Sequence, residues 1–161
     1  MGPIEGTKAE LQRVTDRMLV LLDRTPDDRL FWKPSPTARS IAEVVAHASH
    51  AIGNIEQQLR GIPFAIPSTT EANAFFAMHD AQFTTRAAVR DYLSDNTARY
   101  VQYLDSLTPE DLERSCILPF GIGEAPVGYF MTMVGWHTMA HNAQIEYIQT
   151  MYGDSDWHLG F

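Results

Sequence analysis

The 161-residue chain is 45% hydrophobic and 11% aromatic, enough apolar material for one packed core and too much for a disordered segment. Twenty Asp and Glu against twelve Lys and Arg give a formal net charge of -8, a sign that repels phosphate backbones and disfavours nucleic acid as a partner. The single Cys116 excludes an internal disulfide framework and has no CxxC companion; the opening MGPIEGTKAE has no basic-then-apolar leader, and MLVLL is too short to cross a bilayer, so a cytoplasmic protein without membrane attachment is expected.

In chain order, the first helix is predicted from about Thr7 to Asp23, with Leu11, Val14, Met18, Leu21 and Leu22 at helix-face spacing. RTPDDRLFWKPSPTAR follows, and its three prolines make it a loop. The start of the second helix is sharply marked. Ser40 as N-cap and Glu43 three residues later form a capping box ahead of IAEVVAHASHAIGNIEQQL, which Gly61 and Pro63 stop. From Ile62 to Phe83 a long connection is predicted, with a short helical turn around Glu71 to Met78. The third helix runs from about Thr85 to Leu107 and places Val89, Leu93, Asn96, Tyr100, Tyr103, Leu104 and Leu107 on one stripe, where Asn96 is the polar exception. TPEDLER reads as a capped turn, CILPFGIGEAPVG as loop with an extended piece, and Pro126 to Met151 as the fourth helix. No internal repeat and no strands able to build a sheet are present in this reading. Four long amphipathic segments with two long connections predict an all-α four-helix bundle with crossovers, formed by residues 1–161 as a single domain.

His137 and His141, four residues apart, fall on one face of the fourth helix. At about 100° per residue, Phe130, Met133, Val134, Ile148 and Met151 lie within roughly 60° of them, while Thr138, Asn142, Glu146 and Gln149 fall on other faces. The pair therefore points inward, where each imidazole needs a partner: either a divalent metal, or carbonyl groups and water. On the second helix Ile41, Val44, Val45, Ile52, Ile55 and Leu59 define the buried face; His47 sits at its edge, roughly 110° from the centre, and His50 opposite it. His47 is thus either a third ligand at an inter-helix site or a boundary histidine half in water. His50, His79 and His158 read as surface residues. Cys116, with only Arg114 nearby as a basic neighbour, reads as inert, and Trp136 and Trp157 as packing or interface residues.

The run FWKPSPTARSIAEVVAHASHAIGNIEQQLRG, with its aromatic and proline opening, Ser cap, Glu three later and His seven later, resembles the second helix of the DinB/YfiT-like superfamily. HTMAHNAQIEYIQTMYG resembles that family's closing H-x3-H-x-x-Q segment. The resemblance spans nearly the whole chain. It implies a four-helix bundle, a homodimer by family analogy, and a divalent metal, nickel or zinc, held by His47, His137 and His141. Gln144 matches the family's glutamine one turn past the last ligand and is expected behind the ligands or in packing; Asn96 is a candidate pocket residue or a core amide satisfied by backbone. Asn142 and Ala143 depart from the Arg and Gly often found there. Thiol-dependent S-transferases and a mycothiol-dependent maleylpyruvate isomerase in the family imply a metal-dependent enzyme that activates a low-molecular-weight thiol toward a small-molecule substrate. The alternatives are a non-catalytic, stress-related binding protein and a metal-assisted hydrolase.

Overall fold

A computed structural model describes residues 2–159; residues 1, 160 and 161, which the expected domain includes, lie outside the described residues. Chain order is α1 (Pro3–Arg24), α2 (Asp27–Leu30), α3 (Ile41–Leu59), α4 (Thr69–Asp80), α5 (Arg86–Asp105), β1 (Ser115–Ile117), β2 (Glu124–Pro126), α6 (Val127–Phe130) and α7 (Met133–Met151). The long helices α1, α3, α5 and α7 form a four-helix bundle. In the ring they make, α3 packs on α5 and α7, and α1 on the same two. The links from α1 to α3 and from α5 to α7 therefore cross the bundle diagonally, the crossover topology that their length allowed.

Local chemistry explains the boundaries. Ser40 makes both capping-box bonds with Glu43, while the Ser68 and Thr85 side chains accept from the backbone N–H groups of Glu71 and Ala88. Leu11, Val14, Met18 and Leu21 of α1 meet Val44, Val45 and Ile52 of α3, Leu93 and Tyr100 of α5 and Ile145 of α7 in one buried core.

Four sequence expectations need correction. The connection after α3 holds a full helix, α4, rather than one short turn. The extended piece expected in CILPFGIGEAPVG is half of a small antiparallel pair, where no paired strands were expected, with Cys116 opposite Ala125 and a turn that holds Phe120, Gly121 and Gly123 at positive φ. The predicted fourth helix is broken at Met131 and Thr132: the Tyr100 hydroxyl donates to the Met131 carbonyl at 2.7 Å, and the Gly135 N–H turns to Thr132 instead. Finally, α7 buries more than one face. Thr138, Asn142 and Gln149 are buried, with Asn142 Nδ2 donating to the Val14 carbonyl (2.9 Å) and Gln149 Nε2 to that of Leu21 (3.3 Å). Bonds to the backbone of α1 bring these amides inward, and Trp136 and Tyr147 are left outside, 66% and 65% exposed.

Candidate metal centre

The capping box fixes the start of α3, which sets the register that brings His47 to its α7 side; the H-x3-H spacing then stacks His137 and His141 opposite it. The ring centroids lie 5.4 Å (His47 to His137), 4.9 Å (His47 to His141) and 4.4 Å (His137 to His141) apart. One ring nitrogen from each falls within 4.8 Å of the others. His141 Nε2 is 3.3 Å from His137 Nε2. A tetrahedral ion with metal–nitrogen bonds of about 2.0–2.1 Å holds its nitrogens about 3.4 Å apart, so this pair already has ligand separation.

Protonation state favours the same use. Burial, then the Arg39 charge and the neighbouring imidazoles, push His47 down to about 2. Burial, His141 and Arg39 push His137 down to about 4, and burial lowers His141 against the opposing effect of Gln144. All three are neutral near pH 7 and offer lone pairs. The Nδ1 atoms of His47 and His137 are buried without a hydrogen-bond partner, so carbonyl-satisfied core histidines do not describe this cluster. The three imidazoles can hold a divalent ion.

Gln144 lies at the α7 end of the cluster, its Oε1 accepting from Nδ1 of His141 at 3.0 Å and leaving Nε2 free to face the other rings. Asn96 is elsewhere. Its amide donates to Ser49 Oγ and the Tyr92 carbonyl, both at 3.0 Å, and accepts from Arg99 at 2.7 Å. His50, expected at the surface, is covered by α4: its Nδ1 pairs with the Tyr92 hydroxyl at 3.0 Å, its ring centroid is 4.2 Å from that of His79, and burial pushes it down to about 4. His79 is half-buried against Asp80, and His158 is tied to Asp154 at 2.8 Å. Cys116 is buried on β1, its thiol raised by burial and so unreactive.

Sequence periodicity did not find two residues of this region. Asp80, 1% exposed at the end of α4, turns Oδ2 to within 3.8 Å of His47 Nδ1 and 3.3 Å of Arg39 Nε. Arg39 precedes the α3 cap. Both belong to connections, where no helical period marks a residue as inward. Beside the histidines opens a cavity of about 320 Å³, walled by Phe64, Phe76, Phe120, Phe130 and Met133, with Arg39, His47 and His137 at one part of its lining. Phe120 holds a left-handed conformation, φ 59, uncommon for a bulky residue, and packs edge-on against Phe64 at 5.2 Å.

The sequence profile of the DinB superfamily matches residues 10–145. YfiT from Bacillus subtilis, described as a probable metal-dependent hydrolase with an unusual four-helix bundle topology, superposes with a TM-score of 0.74 at 16% identity, over 94% of this chain and 89% of its own. A DinB-like protein from Bacillus cereus gives 0.71 at 21% identity, covering 92% of each. A mycothiol-dependent maleylpyruvate isomerase gives 0.70 at 13% identity, over 89% of this chain and 61% of its own. At these identities the superpositions show a shared fold. No curated protein matches the sequence.

Proposed function

Because the chain belongs to the DinB superfamily, we propose that it is a metal-dependent enzyme in which His47, His137 and His141 hold one nickel or zinc ion and which transfers a low-molecular-weight thiol to a small electrophile. The observation that carries this reading is the convergence of three neutral imidazoles, two of which, His47 and His137, line an apolar cavity. Three protein ligands leave coordination positions open, the arrangement of catalytic rather than structural sites. When bound, the ion supplies a Lewis-acid position at which a thiol loses its proton near neutral pH. The chain's own groups do the rest. Gln144 holds the tautomer of His141, Asp80 stands behind His47, and the phenylalanine walls exclude water from the acceptor. Sulfur bonds to the electrophilic carbon, the thiol proton passes to solvent, and the leaving group departs with its electron pair.

No carboxylate lines the cavity among the described residues. A metal-bound water and a metal-bound thiol both lose their proton near neutral pH without such a base, so the thiol reading leans on the relatives rather than on this lining. The isomerase relative, named as mycothiol-dependent, supports a thiol cosubstrate, and the YfiT description supports metal dependence. Asn142, where the family often has Arg, is committed to the Val14 carbonyl and faces α1 instead. The exposed row of Trp136, Tyr147 and Met151 on α7 offers the apolar face on which the homodimer would close, and a reducing cytosol suits the buried thiol of Cys116.

Elemental analysis of protein purified without a histidine tag or nickel resin tests the site. About one ion per chain is expected in the wild type, and less than about a tenth in His47→Ala, His137→Ala and His141→Ala. No metal after reconstitution with zinc or nickel would sink the reading. Loaded protein is then mixed with thiol and a chromogenic electrophile: metal-dependent thiol loss supports transfer, turnover in thiol-free buffer identifies a hydrolase, and a filled site with neither identifies a binding protein.

A further inference from the structure

The cavity's lining contains one formally charged side chain, Arg39, in a chain whose net charge is -8. A cation that lines an apolar pocket is desolvated at a cost, so what anchors it matters. The anchor is Asp80, whose Oδ2 takes Nε of Arg39 at 3.3 Å from a position 1% exposed. That contact engages only one edge of the guanidinium. Its two Nη groups have no hydrogen-bond partner among the described residues, although the side chain is only 27% exposed. The charge also stands near the histidines: Arg39 and His47 approach the same Asp80 oxygen, at 3.3 and 3.8 Å, and both line the cavity with His137.

A fixed guanidinium with a free pair of N–H donors matches the two oxygens of a carboxylate. The remaining walls match something else. Phe64, Phe76, Phe120, Phe130 and Met133 present aromatic and thioether surface, and about 320 Å³ is at the small end of ligand pockets. We infer that the acceptor substrate is a small, apolar-bodied monocarboxylate, aryl or branched alkyl, whose carboxylate pairs with Arg39 at the histidine end while its body lies among the phenylalanines. Arg39 is then the residue that selects anionic over neutral acceptors and sets which end of the molecule faces the ion. Among the described residues no second cationic side chain lines the cavity, so the protein's own groups offer a pairing site for one carboxylate. This deepens the function proposed above and rests on the same cavity being the substrate pocket.

The test uses a matched pair of probes, 3-phenylpropionate and 3-phenylpropionamide, which share a shape and differ in charge. Their dissociation constants are measured by ligand-observed NMR on metal-free wild type, Arg39→Gln and Arg39→Lys, each checked for an unchanged circular dichroism spectrum. The carboxylate is expected to bind wild type at least about tenfold tighter than the amide, as a charged hydrogen-bonded pair implies. That preference should vanish in Arg39→Gln and survive in part in Arg39→Lys, which keeps the charge without the fork. Equal binding of the two probes to wild type, no binding of either at millimolar concentration, or a preference intact in Arg39→Gln would each overturn the inference. If Arg39→Gln does not fold, the wild-type comparison and Arg39→Lys still decide. Because the protein is metal-free, the outcome is independent of whether the histidines take up metal.

Discussion

Two polar clusters interrupt the apolar packing of α3, two residues apart in sequence and on different sides of the helix. Toward α5, Ser49 donates to the Tyr92 carbonyl at 2.8 Å, Asn96 to Ser49 and Tyr92, and Arg99 to Asn96. Every group there has a partner, and the helices are so close that a Cβ on Gly53 would stand 3.0 Å from Asn96 Oδ1. Toward α7, His47 faces His137 and His141, with two of the ring nitrogens unpartnered and a cavity alongside. Burial is common to both. What separates a structural cluster from a site is whether its hydrogen-bonding capacity is spent within the protein, and three neutral imidazoles that bring one ring nitrogen each within 4.8 Å of the others leave capacity for an ion.

The largest expected difference between the clusters is their response to pH. In the metal-free protein, His47 and His137 are held down to about 2 and about 4, whereas an unfolded histidine titrates near 6.5. The folded-state values are depressed, so the stability they carry is whole above about pH 6.5 and is lost as pH falls toward about 4, where the unfolded chain binds protons that the folded one refuses. Denaturant melts of metal-free protein should show this decline, and the double variant His47→Ala/His137→Ala should reduce it, leaving the part that His50, also held down to about 4, contributes. The cluster of Ser49 and Asn96 has no group that titrates there. If the decline persists undiminished in the double variant, the histidines are not its source.

Asp80 sharpens the comparison on the histidine side. Its Oδ1 and the Nδ1 of His47 are both buried without a hydrogen-bond partner, while Oδ2 approaches that Nδ1 to 3.8 Å. A carboxylate behind a ligating imidazole fixes its tautomer and raises its basicity, and losing such a partner costs about 10–100-fold in metal affinity. Asp80→Asn should weaken zinc binding by about that factor in competition with a chromophoric chelator. An unchanged dissociation constant would show that His47 presents its nitrogen unaided.

How much of this was written in the sequence follows from where each residue sits. His137 and His141 were legible because a helix turns four-residue spacing into adjacency, whereas His47, at the edge of its helix, was left open between ligand and boundary residue until the family resemblance named it. The bundle was legible from apolar spacing. Asp80 and Arg39 were not, since their burial arises from how α4 and the loop before α3 lie across the bundle, a tertiary outcome with no local period. The faces of α7 were misjudged for a related reason. Polarity marked Thr138, Asn142 and Gln149 as outward, but the carbonyls of Val14 and Leu21 on α1 offer the two amides acceptors, and the Thr138 hydroxyl bonds Val134 of its own helix. A satisfied polar side chain packs inside as readily as an apolar one. The same reversal hid His50, whose partner Tyr92 lies on another helix.

The smallest effect is expected at Asn96, and it separates the two clusters most cleanly. Removing its amide takes partners from Ser49, the Tyr92 carbonyl and Arg99, yet Ser49 still donates to Tyr92, and Arg99 stays near Glu56 at 3.7 Å. The loss is therefore a few net hydrogen bonds in a buried, close-packed place, about 1–3 kcal/mol. Asn96→Ala should lower the melting temperature by several degrees, at roughly 2–4 °C per kcal/mol for a chain of this size. Its metal content should equal the wild type's, because no bond of Asn96 reaches His47, His137 or His141. A variant that melts as wild type does would mean that the cluster is not structural, and one that loses metal would mean that the two sides of α3 are coupled through the helix between them.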